Sequence, residues 1–170
     1  MSDAFREEKI GHKSTKTSCG ILLFRRTSGE TEFFLAHPGG PLFVKKDEGY
    51  WSIPKGEIEL GEENYLGTAL REFHEETGFE ALPPFIELGF VTQKSGKKVY
   101  CWASEYFGEG NPFIKSNTFM FEYPYKSGKF QEIPEIDRAD FFRADEAKVK
   151  IKERQTELID RLIGYLSVSF

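Results

Sequence analysis

Glu72, Glu75 and Glu76 fall at positions i, i+3 and i+4. On an α-helix that spacing gathers side chains on one face. Carboxylates placed so closely repel one another by about a few tenths of a kcal/mol per pair unless a cation offsets the repulsion. Hard oxygen donors in this arrangement suit Mg²⁺ or Mn²⁺. Three glutamates on a helix also make an ordinary solvated acidic face, so the spacing alone leaves both readings open.

The element that must carry them is predicted from Asn64 to Thr77, closed by Gly78. Asn is a good N-cap and Gly a good residue just past a helix end. At 3.6 residues per turn Leu66, Ala69, Leu70 and Phe73 share the side opposite the glutamates. One face is built for a core and the other for chemistry.

The flanking residues extend the pattern. Gly56, five residues and Glu62 precede Arg71-Glu72-Phe73-x-Glu75-Glu76-x-Gly78-Phe79. This resembles the signature of the Nudix hydrolases, G-x5-E-x7-R-E-U-x-E-E-x-G-U, where U is apolar. Eight residues rather than seven separate Glu62 from Arg71, so the spacing from Arg71 falls on Glu63 and the spacing from Gly56 on Glu62. Trp51-Ser52-Ile53-Pro54-Lys55-Gly56 is similar to the W-S-x-P-K-G segment of Nudix proteins of the diadenosine polyphosphate hydrolase kind. Ile133 to Asp137, with Phe141-Phe142 and Ala144 to Ala147, is similar to their late acidic loop, strand and helix start.

The resemblance implies an α/β fold, the Nudix α/β/α sandwich: a mixed sheet with the signature helix on one side and C-terminal helices packed on the sheet. It implies a Mg²⁺-dependent hydrolase, with Mn²⁺ as substitute, of a phosphoanhydride in a nucleoside diphosphate-linked substrate. By the same resemblance Glu72, Glu75 and Glu76, with Glu62 and the backbone carbonyl of Lys55, are the metal ligands. Arg71 would orient one carboxylate through a bidentate pair. Glu72 or Glu75 is the first choice of general base, Glu135 the next, and Glu122 and Glu132 follow. Substrate choice leans to a dinucleoside polyphosphate or nucleoside triphosphate. ADP-ribose or another nucleoside diphosphate sugar, the 5′ end of an RNA, and a nucleotide-binding module without turnover are the alternatives.

The rest of the chain sets the setting. The sequence of 170 residues is ordinary for one globular domain, at 39% hydrophobic and 30% charged. It reads as an N-terminal arm over residues 1–16 and a single domain over 17–170. The charged opening MSDAFREEK lacks the apolar stretch of a secretory signal, and no apolar run reaches membrane-span length, so a cytoplasmic protein without a membrane partner is expected. A net charge of −5 argues against a broad nucleic-acid surface. The expected partner is a nucleotide-type small molecule; a homodimer is left open. Substrate phosphates must then be met locally, by metal and by a few cations such as Lys55, beside the acidic helix, and Lys46 in the Gly- and Pro-rich loop that ends at Trp51.

Cys19 and Cys101 show no metal-like spacing and read as buried free thiols. His37 and His74 read as packing or surface residues. Strands are predicted from Thr17, from Gly29, on both sides of a turn at Lys94 to Lys97, over Thr118 to Tyr123 and over Asp140 to Arg143. A helix is expected from about Asp145, then a final helix whose Leu158, Ile159, Leu162 and Ile163 share a face. Most rings of the stretch holding Phe113, Phe119, Phe121, Tyr123, Tyr125 and Phe130 are expected in the core, with Tyr123, Tyr125 or Phe130 free to stack on a nucleobase.

Overall fold

In the computed structural model, residues 16–168 are described; the opening MSDAFREEK and nearly all of the N-terminal arm lie outside them. Strand β1 (Thr17–Thr27) turns at Ser28 and Gly29, both at positive φ, into β2 (Glu30–Pro38), its antiparallel partner. That turn shape matches the right-handed twist of a hairpin. After a loop bound by successive turns come β3 (Lys55–Glu57), helix α1 (Tyr65–Thr77), and the antiparallel pair β4 (Phe85–Thr92) and β5 (Lys98–Glu105). Strands β6 (Thr118–Glu122) and β7 (Phe130–Pro134) form a ribbon of their own. Strand β8 (Ile136–Arg143), helix α2 (Ala144–Lys150), a short 3₁₀ turn (Glu153–Gln155) and helix α3 (Thr156–Val168) follow.

The main sheet runs in the order β4-β5-β1-β2-β8, with β3 also paired to β1. β1 is its axis. Along one edge it pairs with β5 in parallel, from Thr17 with Lys98 to Phe24 with Glu105. Its other edge is shared: Phe24 to Thr27 pair with β2, and Ser18, Cys19 and Gly20 pair with Glu57, Gly56 and Lys55 of β3. The three-residue strand β3 has too short a pattern to be seen in the sequence, yet it brings the Gly56 region onto the sheet.

β1 is buried on both faces, which is why it reads as a continuous apolar run. Cys19, Ile21 and Leu23 pack with Ala69 and Phe73 of α1. Leu22 and Phe24 pack with Leu158, Ile159 and Leu162 of α3. A sheet between helices on both sides results, the expected α/β/α sandwich. Both cysteines are free and buried, as expected, and no helix of the described residues is long and apolar enough to cross a membrane.

Two expectations are corrected. The late strand begins at Ile136, four residues before Asp140, because pairing with β2 extends back to Pro38. The rings of the aromatic stretch are mostly not core: Phe119, Tyr123, Tyr125 and Phe130 are exposed, Tyr125 by 84%. Strands β6 and β7 bond only to each other, so no sheet covers them, and Phe113 alone of the six joins a core cluster.

Candidate functional site

Helix α1 starts and stops where its caps dictate. The Asn64 side chain accepts a hydrogen bond from Gly67 N at 3.0 Å. Gly78 takes the left-handed conformation at φ 75° and donates its N–H to His74 O, a geometry that favours glycine because it has no Cβ. Ala69 and Phe73 are buried beneath the sheet-facing side, while Leu66 and Leu70 are half-buried against the same cluster. This fixes the rotation of the helix and turns Glu72, Glu75 and Glu76 away from the core.

β3 runs against the acidic side. The Lys55 N–H donates to Glu76 Oε2 at 3.0 Å. Gly56 lies so close to Glu72 that a Cβ there would stand 1.9 Å from the carboxylate carbon. Glycine at this position gives Glu72 its place.

Arg71 ties the carboxylates together. Its Nη1 donates to Glu72 Oε1 and Glu75 Oε1, each at 3.1 Å, and its Nη2 to Glu62 Oε1 at 3.1 Å. The expected bidentate pair with one carboxylate is therefore replaced by single bonds to three. Glu62 also accepts from the Thr68 hydroxyl, and this bond, with the Arg71 charge, holds its carboxyl below the ordinary range. Glu63 is exposed. The extra residue thus sits in the loop, and Glu62 makes the contact with Arg71.

Glu135, far away in sequence, reaches the same cluster. Its backbone N–H donates to Asn117 O, and the Asn117 N–H donates to Glu75 O, both at 2.9 Å. Burial first, then the charge of Glu75, raises the proton affinity of Glu135. Burial likewise raises Glu72 and Glu76, with Glu75 adding to the first and Glu135 to both. Four carboxylates, three on α1 and one between β7 and β8, act on one another, and a concentration of negative charge that burial makes costly is one a divalent cation would relieve. Their hard oxygen atoms fit Mg²⁺ or Mn²⁺. Among the described residues no three acids are drawn close enough to share one ion; Glu72 and Glu75 are turned toward Arg71.

The cations divide. The Lys55 ammonium is pushed down from its ordinary value by burial, then by Lys97 and Lys152, with Glu76 opposing. Lys46 is exposed, with its ammonium 5.7 Å from the Tyr50 ring centroid, and its carbonyl bonds the His37 ring. His37 is fully buried and also bonds Asp137 at 2.8 Å, and His74 is exposed, so both histidines are packing or surface residues. Tyr123 and Tyr125 are exposed on the ribbon, where their rings meet Phe121 and the Lys126 ammonium, respectively. Glu122 and Glu132 bond within that ribbon, to Lys126 N and the Thr118 hydroxyl.

Known proteins share this fold. The family described as NUDIX domain matches residues 15–162. An asymmetrical bis(5′-nucleosyl)-tetraphosphatase of Rattus norvegicus is 35% identical over 100 residues, which cover 52% of this chain and 63% of that protein's length. In a structure of a C. elegans Ap4A hydrolase binary complex the fold recurs at a TM-score of 0.63 and 18% identity, over 89% of this chain and 98% of that one. The NUDIX domain of Shewanella oneidensis NrtR, complexed with ADP ribose, gives 0.60 at 16% identity, over 98% of this chain and 99% of that one.

Proposed function

Because the chain belongs to the NUDIX domain family, we propose that it is a Mg²⁺-dependent hydrolase that cleaves a phosphoanhydride in a nucleoside diphosphate-linked compound, with a dinucleoside tetraphosphate as its leading substrate. The observation that carries the reaction class is the placing of Glu72, Glu75 and Glu76 on one face of α1, with Glu135, between β7 and β8, tied to the Glu75 backbone through Asn117. The substrate leaning rests on the rat relative, which is named for asymmetrical cleavage of such a compound.

Hydrolysis brings a water oxygen to phosphorus, breaks the bridging P–O bond and moves the water proton to a base, while charge gathers on the phosphoryl oxygens. Mg²⁺ held by Glu72, Glu75 and Glu76, with Mn²⁺ as substitute, would neutralise that charge. The carbonyl of Lys55 is a further donor by family resemblance. Glu62 acts instead by holding Arg71, which keeps Glu72 and Glu75 in register. Glu135 is the best-suited base: its affinity for a proton is raised, and no described residue bonds its carboxylate. The Lys55 ammonium is the nearest candidate to meet substrate phosphate.

The test is a product-resolved hydrolysis screen in ¹⁸O-labelled water with Mg²⁺, then Mn²⁺. Diadenosine tetraphosphate, ATP, ADP-ribose and a 5′-triphosphorylated RNA are compared, alongside Glu76→Gln. ATP and AMP from the dinucleotide, lost in the variant, is the expected result. Preference for ADP-ribose or RNA would move the substrate. Silence on every compound, with folded protein that binds Mg²⁺, would move the chain to a binding module.

A further inference from the structure

A sheet edge with free N–H and C=O groups invites a further strand, and proteins cover such edges with charges, bulges or side chains. Both outer edges of the main sheet are covered in this way. Strand β4 is irregular between Glu87 and Gly89, and Arg161 of α3 donates to Leu88 O and Phe90 O at 2.9 and 2.8 Å. Strand β8 carries Asp137, Arg138, Asp140 and Arg143. Along it the Asn111 amide donates to Ala139 O at 2.6 Å, and the Ser116 hydroxyl bonds both Ile136 O and Ile136 N at 3.0 Å.

Strand β6 has none of these devices. It reads Thr118-Phe119-Met120-Phe121-Glu122, without lysine, arginine or proline, and its pairing with β7 runs without a shift in register. Among the described residues β7 is the only strand it pairs with. The bonds that flank it show which groups are left over: Tyr123 N–H donates to Lys129 O, and Asn117 O accepts from Glu135 N–H, each at 2.9 Å. Odd-numbered positions therefore bond β7. The alternation of an antiparallel ladder turns the N–H and C=O groups of Thr118, Met120 and Glu122 outward.

Those three residues fit a second copy of themselves. With two β6 strands antiparallel about a twofold axis at Met120, Met120 faces its own copy and Thr118 faces Glu122, so every outward residue exchanges hydrogen bonds with another outward residue. Centring on Phe119 or Phe121 leaves Glu122 or Thr118 of each copy without a β6 partner, and centring on Glu122 opposes two carboxylates, which is destabilising. The rings agree with the axis at Met120. Phe119, Phe121 and Tyr123 form a stripe on one face, with successive centroids 6.1 and 6.3 Å apart, and this register sets Phe119 of each copy opposite Phe121 of the other.

We propose that two copies of this chain associate through β6, forming a four-stranded sheet in the order β7-β6-β6-β7 about a twofold axis through Met120. This contact does not depend on the hydrolase reading.

Sedimentation velocity of the full chain over about a hundredfold range of concentration is expected to show monomer passing to dimer. Met120 is 63% exposed, so Met120→Lys leaves the fold in place, which thermal unfolding verifies, while it sets two ammonium groups face to face at the axis. Its dissociation constant is expected to rise at least about tenfold, and Met120→Leu to keep the wild-type value. Met120→Cys, treated with oxidised glutathione, is expected to give a disulfide-linked dimer, because the Cα atoms of such a pair stand about 5.5 Å apart, within the span of a disulfide. Cys19 and Cys101 are buried and do not compete. Thr118→Cys and Glu122→Cys are expected to link to each other when mixed and not to themselves. A wild type that stays monomeric at every concentration, leaving the edge to another protein or to water, overturns the proposal. So does folded Met120→Lys with the wild-type dissociation constant, or Met120→Cys that remains unlinked.

Discussion

The Glu72 carboxylate fills the space a side chain at position 56 would take: a Cβ on Gly56 would lie 1.9 Å from the glutamate's carboxylate carbon. The obstacle is the far end of a flexible side chain, so Gly56→Ala can be accommodated by moving Glu72. Stability to urea should therefore change by less than about 1 kcal/mol, since an alanine also reduces unfolded-state freedom. If Glu72 holds metal as proposed, turnover should fall by about 10²-fold or more, because the carboxylate has been displaced rather than removed. Wild-type turnover in this variant would show that the position of Glu72 does not matter.

Arg71 bonds three carboxylates with one guanidinium. Arg71→Gln leaves Glu62, Glu72 and Glu75 to repel one another, and partners that orient ligands are worth about 10–100-fold in metal affinity or activity. The expected result is a rise of that order in the Mg²⁺ concentration needed for half-maximal rate. Arg71→Lys should not restore it, since a point charge lacks the fork that reaches three partners. Full rescue by lysine would reduce the role of Arg71 to charge alone.

Acid should stabilise the metal-free protein over a defined range. Glu72, Glu76 and Glu135 have proton affinities raised above the ordinary value of 4.5, so between 4.5 and their raised values the folded chain holds more protons than the unfolded. Stability then grows as pH falls toward 4.5 and shrinks as it rises. Carboxyls held low, such as Glu57 and Glu62, withdraw their contribution only below that range. From about pH 7 to pH 5 the unfolding free energy obtained from denaturant titration should rise by an amount of order 1 kcal/mol, and Glu76→Gln should flatten the slope. A wild-type slope retained in that variant would place the effect elsewhere.

The ribbon gives the opposite test. Tyr125 and Phe130 are 84% and 61% exposed, so Tyr125→Ser and Phe130→Ser should each alter stability by no more than about 0.5 kcal/mol. Phe73, fully buried under α1, should cost about 3–5 kcal/mol as Phe73→Ala. Thermal unfolding of the three variants side by side decides whether the ribbon rings belong to a core.

What could be read from the sequence is what neighbours in sequence determine. Asn64 and Gly78 delimit α1 because caps act over one turn, and the four-residue turn at Lys94 forms as its glycine requires. Glu72, Glu75 and Glu76 share a face because helical spacing leaves no other choice. The approach of Glu135 to Glu75 depends on Asn117, which bonds both backbones, and nothing local announces it. The aromatic ribbon misleads because ring density usually means burial, whereas β6 and β7 find no third strand.

The double edge of β1 also bears on how the molecule assembles. Thr17 pairs with Lys98, and Ser18 with both Val99 and Glu57, so the central strand is complete only after long intervening segments have closed. Such contacts are made at high entropic cost and slow the search for the native state. β3, which sets Lys55 and Gly56 against the acidic helix, has among the described residues no neighbour in the sheet but β1. A folding intermediate with α1 formed and β1 unpaired would carry the glutamates without their backing strand. Divalent ions should accordingly slow unfolding and leave the rate of refolding nearly untouched.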